Sequence, residues 1–165
     1  MRRYWPHAKE DMLGAQSNIA GCLGSLGRDV EALVLIRDIY AGFVATLGLS
    51  HENTLGFGNN LVLSLDRCKL WDESKSLLRD QLLPAARRSL GFDHDLTLRL
   101  GRSLAVALTR NPESTRDDLL EAETIMQDVV RRRRRVFGPT HPETRHVENI
   151  LSVTRTNLAA RVDST

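Results

Sequence analysis

Leu90-Gly91-Phe92-Asp93-His94-Asp95-Leu96-Thr97 is one of three versions of a single phrase in this chain. Leu47-Gly48-Leu49-Ser50-His51-Glu52-Asn53-Thr54 precedes it, and Phe137-Gly138-Pro139-Thr140-His141-Pro142-Glu143-Thr144 follows. The glycines stand 43 and then 47 residues apart, and the histidines and threonines keep the same intervals. A recurrence of this length marks stacked supersecondary units, each of which needs its neighbour to bury an apolar flank.

Working outward from the middle phrase, two helical patterns lie between successive turns. Leu55, Leu61, Val62 and Leu65 fall at helical spacing, Cys68-Lys69-Leu70-Trp71-Asp72 interrupts them, and Ser74, Leu77, Leu78, Leu82, Ala85 and Leu90 trace a second, longer stripe. Gly91 closes that helix as a left-handed cap, and Asp93 or Asp95 offers an N-cap to the next one. The unit before repeats the pattern through Ile19, Ala20 and Leu23, the turn Gly27-Arg28-Asp29, and Ala32 to Leu47. The unit after gives Leu98, Leu104, Ala105 and Leu108, then Ala122 to Phe137, with its extra residues in the turn between them, at 111–117. Residues 144–160 then form a lone helix, suited to cap the array. The expected organisation is a remnant of an earlier unit at 1–11, repeats at 12–54, 55–97 and 98–144, and a capping helix and tail at 145–165. Trp5-Pro6 fits the remnant, which suggests a piece of something longer. Pro84 interrupts the second helix of the middle repeat and predicts a kink near residues 80–84 rather than a break, with Ala41-Gly42 the weak spot at the corresponding place.

Composition narrows the classes. Of 165 residues, 41% are hydrophobic and 27% charged, and the formal net charge of +2 supplies no global field for nucleic acid or a membrane surface. Two cysteines, Cys22 and Cys68, have neither metal-site spacing nor the number for a disulfide framework. No apolar run is long enough to span a bilayer, and the first residues lack a secretory h-region, so the expected location is cytoplasmic.

The phrase resembles the tetratricopeptide repeats of the kinesin light chain type. Those repeats carry a turn of the form Leu-Gly-x-x-His-Pro-x-Thr-Leu, then Asn-Asn-Leu-Ala, then Gly-x-x-x-Glu-Ala. They run about 42 residues rather than the usual 34. The matching residues are Leu90-Gly91-Phe92-Asp93-His94 with Thr97-Leu98, Asn59-Asn60-Leu61-Val62, Gly27-Arg28-Asp29-Val30-Glu31-Ala32, and Leu120-Glu121-Ala122. Only His141 is followed by proline, and Arg102-Ser103 replaces the asparagine pair in the third unit. By period alone, HEAT or armadillo helical pairs are the second choice. The resemblance implies an all-α, right-handed solenoid of about seven helices in antiparallel pairs. It also implies a non-catalytic scaffold or adaptor, as in a cargo adaptor, with no cofactor.

The residues support no catalytic constellation. His51, His94 and His141 fall in successive units, too far apart to converge on one ion, and read as turn and cap residues. No nucleophile elbow or phosphate-binding loop is present. Arg131-Arg132-Arg133-Arg134-Arg135 offers an alternative function, a nucleic-acid or nuclear-import contact. Its position in the last turns of a helix, with Glu121, Glu123 and Asp128 upstream, favours a solvated, ion-paired face instead. A regulatory repeat segment of a larger signalling NTPase is a further alternative.

In repeats of the resembled type, the first helix of each pair lines the concave face and ligands lie there. On that register Asn59, Arg67, Arg99, Arg102, Arg110, His146 and Asn149 point inward, together with Leu63, Asp66, Val106, Thr109, Val153 and Asn157, and with Ser17, Gly21 and Ser25 in the first unit. Arginine forks pair carboxylates and asparagines pair with peptide backbone, so the expected ligand is an extended, acidic peptide segment of a partner protein.

Overall fold

Each phrase ends one helix and starts the next, and each of its residue types has a separate task. Gly48, Gly91 and Gly138 hold φ of 82°, 90° and 85°, a left-handed region open to glycine without steric cost. Three residues later, where the backbone is extended at His51 and His94, the histidine caps the following helix with its ring. The Nδ1 atoms of His51, His94 and His141 accept backbone N–H bonds from Asn53, Leu96 and Glu143 at 3.2, 3.3 and 3.2 Å. The threonines are buried: Thr54 Oγ1 donates to the Phe43 carbonyl at 3.4 Å and Thr144 Oγ1 to Gly138 at 2.9 Å. The cap before the third unit is therefore His94 and not Asp93 or Asp95. Asp95 is already the first helical residue, and the Asp93 carboxylate is drawn to Arg132 and Arg135 instead.

The computed structural model describes residues 8–162, with side chains described for 12–160. Expectations for Trp5, Pro6 and the other residues of 1–7 lie outside it, while residues 8–11 open the first helix. Seven helices follow one another among the described residues: α1 (Ala8–Ser25), α2 (Asp29–Leu47), α3 (Glu52–Arg67), α4 (71–89), α5 (Asp95–Arg110), α6 (Arg116–Phe137) and α7 (Pro142–Val162). α6 begins with a reciprocal capping box, in which the Thr115 hydroxyl takes the Asp118 N–H and the Asp118 carboxylate takes the Thr115 N–H.

Pro84 leaves α4 continuous. The helix runs as Trp71–Ser76, a π-helical stretch Leu77–Leu82, and Leu83–Ser89. The Leu83 N–H reaches back five residues to the Leu78 carbonyl, so the wider turn accommodates the proline ring without ending the helix. The corresponding Ala41-Gly42 lies inside an uninterrupted α2. Gly42 admits α1 there, since a Cβ would stand 3.0 Å from a Leu13 methyl.

Helices pack on their sequence neighbours, and the first helices of successive pairs also pack together, α3 on α5 and α5 on α7. The second helices are joined by ion pairs, Arg37 to Glu73 and Arg79 to Glu121. One apolar core, including Ala20, Leu33, Ile36, Leu55, Val62, Leu65, Leu78, Leu82, Leu104, Leu108 and Met126, runs from α1 to α7. A smaller one, Leu13, Ile39 and Phe43, ties α1 to α2. Phe57 of α3 stacks on Phe43 of α2 with ring centres 4.1 Å apart.

Candidate functional site

The shared face of α3, α5 and α7 holds a groove of about 590 Å³. Its apolar floor comes from Leu63, Val106, Ile150 and Val153, one or two from each helix. Leu63 and Val153 are left 45% and 56% exposed, although both lie on helices whose other faces are core. Polar groups surround the floor: Arg102 and Arg110 from α5, His146, Asn149 and Asn157 from α7, and Asp66 from α3.

The electrostatics of the groove are asymmetric. Burial pulls the Arg102 guanidinium below the usual arginine pKa, while Glu143, its carboxylate neighbour at 3.9 Å, works the other way. Arg102 is thus a partly desolvated cation with a loosely held partner. Burial also pushes the Asp66 carboxyl up, against the opposing influence of Ser74 and Arg110.

The structure divides the expected inward residues of α3, α5 and α7 into three groups, while Ser17, Gly21 and Ser25 of α1 line neither hollow. Arg102, Arg110, His146 and Asn149 line the groove, with Leu63, Asp66, Val106, Thr109, Val153 and Asn157. Asn59 and Arg99 line a second, smaller hollow of about 320 Å³ between α3 and α5. There Asn59 is buried and accepts a hydrogen bond from Ser103 Oγ at 3.1 Å, which makes it a bridge between the two helices. Arg99 turns back to Asp95 at 3.2 Å, so Arg99 and Arg102 serve different hollows despite their helical spacing. Arg67 lines neither; it faces Asp29 of α2 at 3.9 Å.

The arginine run is paired along its whole length. Arg131 and Arg132 meet Asp128, Arg132 and Arg135 meet Asp93, and Arg134 meets Glu148 at 2.7 Å. Asp128 acts as expected, but Glu121 and Glu123 are committed elsewhere, to Arg79 and Arg155. Arg133 is buried, 1% exposed. It lies 3.0 Å from Asp95 and 3.7 Å from Glu143, with its guanidinium over the Phe137 ring. Those two carboxylates also serve Arg99 and Arg102, so the run and the inner-face arginines form one network. Five consecutive arginines wrap right around a helix, so the sequence requires one or two of them to pack by their stems. It does not say that the buried one is Arg133, nor that Asp95 and Glu143 are the carboxylates it meets.

Among the described residues no group of histidine, cysteine and acidic side chains is placed to hold a metal ion, and no helix is long and apolar enough to cross a membrane.

Comparison with known proteins bears on the fold that carries this groove. Residues 113–143 match the tetratricopeptide repeat family. The fold matches the crystal structure of a Podosopora anserina putative kinesin light chain with nearly identical TPR-like repeats. There the TM-score is 0.79 and identity 21%, over 88% of this chain and 66% of that one. A point-substituted form of the same protein gives a TM-score of 0.81 at 21% identity, over 92% and 68%. BtubC (BKLC) from P. vanneervenii gives 0.70 at 11% identity, over 100% and 68%. This chain thus spans about two thirds of the length of each of these structures. No curated protein shows significant sequence similarity to it. The chain is an all-α solenoid of the tetratricopeptide type. Its architecture is the one seen in the TPR-like repeats of kinesin light chains.

Proposed function

We propose that this chain is a non-catalytic interaction module that holds an extended, acidic peptide segment of a partner protein in the α3–α5–α7 groove. The observation that carries this reading is the pairing of an exposed apolar floor with a desolvated arginine. Leu63, Val106 and Val153 give an aliphatic or aromatic anchor a surface to cover, and Arg102 and Arg110 supply forks for carboxylates on either side. Asn149 and Asn157 suit the backbone of an extended chain, which offers alternating donors and acceptors. Arg99 and Asn59 belong to the adjoining hollow and would meet a longer ligand. The repeats are assigned as 12–54, 55–97 and 98–144, with 145–165 as the cap. The setting is cytoplasmic, with a scaffold or adaptor role of the kind suggested by the kinesin light chain likeness. The arginine run gives less support to a nucleic-acid role, because each of its cations already faces a carboxylate of this chain.

Fluorescence anisotropy with synthetic acidic peptides, each carrying one aromatic or aliphatic anchor, tests the assignment. Changing both Arg102 and Arg110 to glutamate should abolish binding at moderate salt, while changing Arg134 to glutamate should leave it intact. Binding that survives the double change places the ligand elsewhere. A steep loss of nucleic-acid binding from the Arg134 variant would favour the arginine run.

A further inference from the structure

α3 and α5 each sit between two second helices, α3 between α2 and α4, α5 between α4 and α6. The two sets fill unequally around one glycine. Over Gly58 of α3, a Cβ would meet Leu82 of α4 and, at 3.1 Å, the ring of Tyr40 of α2. Over Gly101, the counterpart in α5, a Cβ would meet Val129 and Ile125 of α6 at 3.3 and 3.8 Å, and no atom of α4 within 4 Å. Counted from the recurring turn, Tyr40 corresponds to Leu83 and Leu82 to Val129, so smaller side chains stand at both places. The space they leave is part of a hollow of about 530 Å³, walled by Leu83, Leu98, Ile125 and Val129. Interiors are otherwise close-packed, and apolar hollows of this size with a few polar groups are the usual form of a ligand pocket.

The rim is charged. Arg87 comes from α4, Phe92 from the turn, and Asp128 and Arg131 from α6. Asp128 is already held by Arg131 and Arg132. Arg87 lies over the Phe92 ring, 5.4 Å from its centre, and has no carboxylate partner among the described residues. Phe92 itself is 52% exposed, with the Arg132 guanidinium also over its ring. One polar atom of the wall is unpaired as well. Thr54 and Thr144, the other threonines of the recurring phrase, donate to backbone carbonyls, whereas Thr97 Oγ1 is buried without a partner.

We infer that this hollow is a binding site for a small aromatic carboxylate, its ring over Gly101 and its carboxylate on Arg87. The ring follows from the fold's own example: Tyr40 shows that a six-membered ring fits between two second helices against such a glycine. The charge follows from the rim, where two arginines stand against one aspartate and the uncommitted fork is that of Arg87. A ring oxygen that reaches the wall supplies the acceptor Thr97 lacks. The hollow shares no residue with the α3–α5–α7 groove, so the site stands apart from the peptide reading.

The probe is 3-(4-hydroxyphenyl)propionate, titrated into the labelled protein and followed by amide proton–nitrogen correlation spectra. The expected result is saturable shifts at Thr97, Gly101 and Val129, with a Kd of roughly 0.1–2 mM, the range open to a ligand of about a dozen non-hydrogen atoms. Arg87→Gln should weaken binding by about fivefold or more, and so should replacing the ligand carboxylate with a carboxamide. Leu83→Tyr, which copies Tyr40, should abolish binding while circular dichroism shows the helices intact. Changing both Arg102 and Arg110 to glutamate should leave this binding unchanged, which separates it from the peptide groove. No shifts up to about 10 mM, shifts confined to the groove, or equal affinity in the exposed Arg87→Gln variant would each overturn the inference. A peptide with tyrosine beside glutamate that takes the same amides more tightly than the free acid would assign the hollow to a partner protein and overturn the small-molecule reading.

Discussion

Lys69 occupies a backbone position that suits glycine. Its φ is 60°, and Gly27, at the same place in the unit before, has φ of 74°. Both turns close with the same bond, Arg28 N–H to the Leu23 carbonyl in one and Leu70 N–H to the Leu65 carbonyl in the other, each at 2.9 Å. Lysine pays for the left-handed conformation where glycine does not, so Lys69→Gly should stabilise the fold by about 1 kcal/mol in urea denaturation. Asp66 carries the opposite kind of strain, in charge rather than backbone. Its pKa is raised in the folded state by burial, so the native protein binds this proton more readily than the unfolded chain. Ionisation therefore costs stability once the pH exceeds the folded pKa. Asp66→Asn should raise the melting temperature at pH 7. The gain should shrink as pH falls through the folded pKa and disappear below the unfolded value of about 3.9. It should also tighten binding of acidic peptides, because a like charge leaves the groove. Gly56 and Gly58 give a third test within one helix. Gly56 has open space around it, and alanine there should gain up to about 1 kcal/mol of helix propensity. At Gly58 a Cβ would lie 2.5 Å from a buried Leu82 methyl and 3.1 Å from the Tyr40 ring, so alanine should cost about 1–3 kcal/mol despite the same propensity.

The helices were legible in the sequence where one phrase carried the signal three times. The helix-ending glycines and the cap histidines follow from local chemistry, and local chemistry is what a sequence displays. Two features of the elements were not legible for that reason. Pro84 announced a disturbance in α4, but the choice of a π turn depends on keeping Leu77, Leu78 and Leu82 buried on both sides of it. In α6 the five arginines look equivalent in sequence, yet the structure makes them unequal. Arg131 is 77% exposed and Arg133 is 1% exposed, because α5 and α7 approach only one side of the helix. Arg131→Ala should therefore stay within about 0.5 kcal/mol of the parent in thermal or urea unfolding. Arg133→Ala loses packing on Phe137 as well as two carboxylates and should cost about 1–3 kcal/mol. The groove shows the same limit: the helical register placed Arg102, Arg110, His146 and Asn149 on one surface, while the separation of Arg99 from Arg102 depends on where Asp95 and Glu143 stand.

Among the described residues, contacts run between neighbours in the chain, between successive first helices, and through the ion pairs Arg37–Glu73 and Arg79–Glu121 between successive second helices. Stability in such an array is a sum of local and nearest-neighbour contributions. Deleting 142–165 should uncover the α5 and α6 surfaces that Val147 and Leu151 cover, lower the melting temperature, and reduce hydrogen-exchange protection in α5 and α6 well before α1 and α2. A ligand lying across α3, α5 and α7 would act in the other direction, adding contacts that bridge three successive first helices at once. The same sparse connectivity decides how the protein answers tension. Among the described residues packing runs from each unit to the next, so a steady pull on the two ends meets no shear-resisting lock. Hairpins should peel away singly at low force, and the molecule should yield as a soft spring.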